Sequence, residues 1–529
     1  MYSGSSGCLY STGSITACVN CEFCFSRATS LFFITLASSR AVMRGHSTRT
    51  FNPRAPLSPQ WMTVSRLLLV VLLHLSICIQ GVPLEESGGG IDTDDSHHVQ
   101  QQRRLNEDDS PGVESDEDYA KRLESHKELL HYSPDVEVLG PSVFPKPTDY
   151  VAHLYATKEG LDEDNVEAVP YLQPTYGKHR PDQDAVIAFA AEYVLDNYMV
   201  FIESLRKTGF QGDIVLSVTE MDMRKDDLRN YLSTAPGVVI YVPQQECYNF
   251  EGEIVESAKG GMRTCMIHNL YGVKAKGNDT VTSIQDPRPS RALATARYEM
   301  YWLMMHSYNP SSWILVIDAR DTYFQADPFK DVPRNTDPSG ESGLLYFFGE
   351  NIEATRLGKS KQNAKWIRAA YGEAVGQALD EKPTICSGAS MGEQVAMESY
   401  VRAMVAESDH TGTKLMGADQ GFHNFLYYSN KLKNSVRIHD IVVFDQGTGI
   451  VNNMGALRTK ALNEWGNGKL LDETKDENNE KLYRVLNWDG VLSPVAHQFD
   501  RHKELTQNFF RAKAPKFIAE WRKKQSAKD

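Results

Sequence analysis

The chain has 529 residues, of which 41% are hydrophobic and 24% charged. That is a globular composition, with room for one large α/β domain plus extras or for two or three average domains. A formal net charge of −13 argues against a sequence-independent grip on the phosphate backbone, so no nucleic-acid partner is expected.

Residues 1–61 are rich in Ser and Thr, carry scattered Arg and have almost no acid. They read either as an extension upstream of a true start at Met62 or as a transit-peptide-like leader. Residues 62–81 place Arg66 ahead of a short apolar run, L-L-L-V-V-L-L-H-L-S-I-C-I, followed by Gly81-Val82-Pro83. This pattern predicts a secretory signal peptide, the run being shorter than the roughly 20 residues of a membrane-spanning helix. A signal anchor of a single-pass type II protein is the alternative, because apolar residues begin at Trp61. Both place the protein in the secretory pathway, in the Golgi or ER lumen, anchored through 62–81 or secreted.

Of the eight cysteines, Cys8, Cys18, Cys21 and Cys24 precede the signal and Cys78 lies within it. That leaves Cys247 and Cys265 as candidates for a disulfide, with Cys386 free. Asn278-Asp279-Thr280 is a glycosylation sequon, as a lumenal domain would carry.

Residues 82–180 read as an acidic stem. Low hydrophobicity, runs such as Asp92-Thr93-Asp94-Asp95, and spaced prolines from Pro141 to Pro174 predict a solvated approach, with one short helix over 119–131. From 181 the pattern changes. Strands are predicted over 185–190, 214–218 and 238–242, alternating with helices over 194–208 and 225–233. Strand–helix alternation of this kind makes βαβ units and a mostly parallel sheet flanked by helices, the Rossmann-type α/β class. Residues 243–290 are irregular, an insertion or lid, and 291–307 form a strong helix.

The decisive stretch is 313–329, W-I-L-V-I-D-A-R-D-T-Y-F-Q-A-D-P-F. Five apolar residues stop at Asp318 and Asp321. So short and apolar a run predicts a strand buried on both faces, and open α/β sheets bind ligands at the carboxyl ends of such strands. Asp after a strand also serves as a turn former or helix N-cap. Two of them around Arg320 favour a hard divalent cation, Mg²⁺ or Mn²⁺, that bridges substrate phosphates. Beyond it come strands over 344–348 and 436–444 and helices over 363–371, 393–407 and 418–428. A short strand enters a Gly/Ser turn at 385–392. The folded domain is expected over 181–512, followed by a basic, exposed tail over 513–529.

These pieces, taken in order over residues 183–502, resemble glycosyltransferases of the GT-A fold, and most closely the glycogenin-like family 8 enzymes. The resemblance implies a nucleotide-sugar donor, most readily a UDP-sugar, and Mn²⁺ or Mg²⁺. It implies that Asp318 and Asp321 replace the family's Asp-x-Asp motif, with Arg320 where the second Asp would fall. It further implies that Arg291 and Arg297, on the preceding helix, contact the donor phosphates. Ser387-Gly388 would lie near the donor sugar. Asp419-Gln420 would open a helix whose Asp meets the transferred sugar, and His497 would complete the metal shell. Catalysis would fall to Asp318 and Asp419.

Other roles stand beside these. His423 and His502 rival His497 as ligand. Arg297 has Glu299 or Asp318 as ion-pair partner, Asp419 fits an N-cap, and Ser387-Gly388 fits a tight turn. Trp488-Asp489-Gly490 reads as a turn with a packed aromatic or as a platform for an acceptor sugar. The functional expectation is a metal-dependent glycosyltransferase acting on a glycan or protein acceptor. The alternative is a non-catalytic carbohydrate- or nucleotide-binding protein of the same fold.

Overall fold

The computed structural model describes residues 115–256, 264–475, 479 and 481–526. The leader, the apolar segment 62–81, the stem before Ser115, and Cys8, Cys18, Cys21, Cys24 and Cys78 lie outside the described residues. No described helix is long and apolar enough to cross a membrane.

Ordered structure begins well before 181. Helix α1 (Asp116–Leu129) starts on a Ser115 N-cap with three acids in its first turn, which favours a helix N-terminus electrostatically. Its Tyr119 is buried, with its ring centroid 5.0 Å from that of Trp488. Helix α2 (Pro147–Glu159) buries Val151 and Ala156 in the main core. The strand Val166–Pro170 pairs with Tyr271–Ala275. An extended approach over 115–180 is therefore replaced by segments that wrap the domain. Tyr119, Phe144, Val151, Ala168 and Leu172 of this region are buried in it, while Leu139 and Val143 stay exposed.

The central sheet is built from β1 (Ala185–Phe189), β2 (Asp213–Ser217), β3 (Val238–Tyr241), β4 (Trp313–Ile317), β5 (Gly343–Gly349), β6 (Ile385–Glu393) and β7 (Ile438–Phe444). Their order across the sheet is β7-β5-β6-β4-β1-β2-β3. All neighbours are parallel except β6, which runs antiparallel to both β4 and β5. This is a mostly parallel, helix-flanked α/β architecture. Helices α3 (Leu195–Lys207) and α4 (Asp226–Thr234) cover one face. On the other lie α5 (Leu293–Met305), α6 (Lys361–Tyr371), α7 (Gln394–Thr411) and α8 (Ala418–Tyr428).

Strand β4 shows why this run folds as it does. Ile314 and Val316 enter the core under α5 and α7, while Trp313, Leu315 and Ile317 enter the core under α3. Alternation with period two serves both faces only because every residue is apolar.

Strand β6 departs from expectation. It is a nine-residue, fully buried central strand, so Ser387 and Gly388 lie in the sheet and form no tight turn. Its small residues are what let it pass between close neighbours. A Cβ on Gly392 would lie 2.4 Å from the Leu344 carbonyl oxygen.

The 243–290 insertion holds the hairpin Gln244–Tyr248 with Thr264–His268, closed by the Cys247–Cys265 disulfide. Cys386 is free and buried. Asn278 is exposed in a turn. The tail is not free. Helix α9 (Ala514–Ser526) buries Ala514 and Phe517 against the α3 side of the core, and Trp521 meets Tyr231 edge to face. Its basic residues occupy the outward side of an amphipathic helix.

Candidate active site

A three-stranded sheet brings the C-terminal segment to the end of β4. Thr322–Phe324 pairs antiparallel with Val495–His497, which pairs in parallel with Val451–Asn453. Thr322 faces His497 in register, so His497 lies beside the Asp318–Asp321 loop despite its distance in sequence.

The chemistry of His497 follows from its neighbour. Asn453 uses its Nδ2 donors on the Phe348 and Gly349 carbonyls, at 2.9 and 3.0 Å. Its Oδ1 therefore faces His497 Nδ1, at 2.8 Å. Nδ1 is therefore the donor, and in the neutral ring this tautomer leaves a lone pair on Nε2. That Nε2 is buried and has no hydrogen-bond partner. It lies 3.9 Å from Asp321 Oδ1. Asp321 is itself buried. Burial above all, with the nearby Asp318, raises its carboxyl above the usual range.

Gly388 floors this space. A Cβ there would lie 2.9 Å from Asp318 Oδ2 and 3.4 Å from His497 Nε2. Lone pair and carboxylates thus surround a small polar cradle. Such an arrangement calls for a cation, and the donor set of two carboxylates and one imidazole suits Mn²⁺ or Mg²⁺. Among the described residues no three His, Cys, Asp or Glu side chains stand close enough together to hold a metal ion as they are now arranged. One Asp318 oxygen is engaged by Arg297.

Arg297 links the two halves of the site. One terminal nitrogen donates to Asp318, the other to Asp419 Oδ2 at 2.9 Å. Asp419 also accepts from Ser387 Oγ at 3.1 Å. Burial raises the Asp419 carboxyl, and Arg297 opposes the shift. Asp419 is no N-cap, because Gly417 holds that position. Gln420 is a clip between α8 and β6. It accepts from the Ser387 N–H at 2.7 Å and donates to the Ile385 carbonyl at 2.6 Å.

Arg291 is elsewhere. It precedes α5 in a buried cluster with Asp286, Arg288, Glu299 and Asp409, and it donates to Glu299 at 2.6 Å. Helical spacing placed both arginines on one segment, but the chain is non-helical at 291, which turns that side chain away from Asp318. The rival histidines are structural. His423 is buried with Nδ1 on Tyr400, and burial lowers its pKa to about 3. His502 Nε2 donates to the Met454 carbonyl at 2.9 Å. Trp488 is buried beneath Tyr119 and presents no platform.

Three participants escape sequence reading. Asn453 lies in a short strand without a motif. Tyr193 lies close enough that Asp318, after burial, helps push its phenol above the ordinary range. Glu350 follows β5 at the same sheet edge, and its charge bears on Cys386. The one available signal for Glu350 was its place directly after an apolar strand. Burial pushes Glu350 up to about 7, against Arg458. The native state thus keeps a proton that the unfolded chain releases between about pH 4.5 and 7, and stability falls as pH rises through that window. Because the side chain is only partly buried, Glu350→Gln should stabilise by about 1–2 kcal/mol at pH 8 and by nothing at pH 4. Urea midpoints at the two pH values measure this.

Gly388→Ala should force Asp318 and His497 apart, since no methyl fits at those separations. The expected result is loss of Mn²⁺-dependent thermal stabilisation, with the protein still folded by circular dichroism. Undiminished Mn²⁺ response would show that the cradle is not the cation site.

No family model matches the chain, and no curated protein matches it in sequence. Solved structures similar to it include the galactosyltransferase LgtC with donor and acceptor sugar analogues. That match has 10% identity, covers 59% of this chain and 86% of that one, and has a TM-score of 0.29. An active-site mutant of LgtC matches at 10% identity over 64% and 95% of the two chains, with a TM-score of 0.31. The bifunctional glycosyltransferase WbbM matches at 14% identity over 51% and 39%, with a TM-score of 0.25. All are glycosyltransferases, the class that the motifs resemble. TM-scores this low decide nothing about chemistry, which rests on the site itself.

Proposed function

We propose that the protein is a metal-dependent glycosyltransferase that moves a sugar from a nucleotide-sugar, a UDP-sugar by preference, to a glycan or protein acceptor. The observation that carries this reading is the buried, unpartnered His497 Nε2 facing Asp321 beside Asp318. Asp318, Asp321 and His497 would hold Mn²⁺ or Mg²⁺, which when bound supplies Lewis-acid neutralisation of a departing diphosphate. Arg297 offers a planar, bidentate cation to phosphate oxygens once the donor displaces its contact with Asp318. Asp419, fixed by Ser387 and Arg297, is placed to accept hydrogen bonds from donor hydroxyls. The Cys247–Cys265 disulfide supports action in the secretory pathway, where such bonds persist.

Thermal unfolding tests the reading. Mn²⁺ with UDP should raise Tm by several degrees, since a ligand at about 100 times its Kd adds about 2.7 kcal/mol. Neither alone should match the pair. No shift with any nucleoside diphosphate and metal would remove the proposal. The Arg297 bridge across Asp318 and Asp419 favours, as a second reading, a binding protein in which this ion-paired state persists. Metal-dependent UDP binding without nucleotide release from any UDP-sugar would select it.

A further inference from the structure

A second cavity, apart from the cradle, adjoins the helix that carries Asp419. It is a groove of about 790 Å³, within the range of small-ligand sites. The disulfide-closed hairpin contributes Tyr248, α6 contributes Gln362, Lys365 and Trp366, and the loop before α8 contributes Lys414 and Met416. The Trp366 ring lies over Gly417, where a Cβ would meet it at 2.3 Å. Gly417 has φ +87, so glycine is favoured there twice over, by backbone conformation and by the ring above it. Asp419 is two residues further along the chain. Through Trp366 and Gly417 the groove borders the start of the helix that carries Asp419.

The lining is selective. Among the described residues that line it, two exposed lysines are the charged groups, while the neighbouring Glu246 and Glu253 are taken up by hydrogen bonds from Tyr248 and Asn249, in a chain of net charge −13. The half-buried Trp366 and Tyr248 present aromatic surface, whose negative faces attract the weakly positive C–H groups of a pyranose ring. Ser290 and Gln362 add a hydroxyl and an amide. Aromatic planes, an amide, a hydroxyl and two exposed cations fit a saccharide bearing carboxylates better than a peptide side chain seeking a deep apolar pocket.

We propose that this groove is the acceptor subsite and takes a carboxylated glycan, with Lys365 and Lys414 pairing to its uronate-type groups and Trp366 stacking against a ring. The assignment rests on the glycosyltransferase reading.

Calorimetry on the full chain tests it, with oligogalacturonate, a hyaluronan oligosaccharide and sialyllactose as carboxylated probes, and maltoheptaose and oligoglutamate as comparisons. At least one carboxylated probe should bind more tightly than maltoheptaose. The double variant Lys365→Ala/Lys414→Ala should bind that probe about tenfold more weakly, and Trp366→Phe should retain it better than Trp366→Ala. Overturning results are no binding of any carboxylated probe, equal affinity for maltoheptaose, oligoglutamate binding instead, or a double variant that binds as the wild type does. Mn²⁺–UDP stabilisation of the wild type, measured on the same preparation, separates the two claims. If it is present while the probes fail, the subsite alone is wrong. If it is absent, the glycosyltransferase reading fails and the acceptor role falls with it.

Discussion

Asp318→Asn should reduce donor turnover by at least about a thousandfold, equivalent to about 4 kcal/mol of transition-state stabilisation. The change keeps the side-chain volume and removes one charge. Arg297 remains held by Asp419, so no buried cation is stranded and the unfolding midpoint should move little. The cradle, however, loses a carboxylate on the side facing Gly388 and His497, weakening the cation site and the neutralisation of the leaving group together. Nucleotide release from UDP-sugars, with and without Mn²⁺, is the measurement. Turnover within about tenfold of wild type would show that Asp318 is not part of the reacting site.

Arg288→Ala should be the most damaging single change to stability, costing about 3–5 kcal/mol. Arg288 is fully buried, donating to Asp286 at 2.7 and 2.9 Å and pairing with Glu299 and Asp409. Burial opposes its charge, yet Glu299 and Asp286 together hold its pKa well above the usual guanidinium range. Its removal leaves Arg291 alone to face those three carboxylates. Arg291 also pairs by backbone with Cys265, so the cluster fastens the disulfide hairpin to α5 and α7. Urea unfolding should show the loss, and Arg288→Met combined with Glu299→Gln should recover part of it by removing a stranded charge along with the cation. A loss below about 1 kcal/mol for the single variant would mean that water or another cation reaches the cluster.

The sequence by itself determined the alternating elements, the doubly buried β4 and the acids that end it. Apolar periodicity and strand-end chemistry are local properties, readable from neighbours in the chain. It also carried Cys247 with Cys265, Arg297, Asp419 and His497 as candidates, because residue type and order survive without coordinates. It misjudged Arg291, since one backbone turn before α5 decides where a side chain points. It missed the packing of 115–180, since a weakly apolar segment folds only when a surface exists to receive it. That β6 runs through the middle of the sheet, setting Gly388 against Asp318 and Ser387 against Asp419, came from the tertiary structure alone. It alone supplied Asn453, which sets the orientation and tautomer of His497 from a strand that no motif marks. Such facts depend on contacts between segments far apart in the chain, and the free energy of those contacts is written in no single stretch of residues.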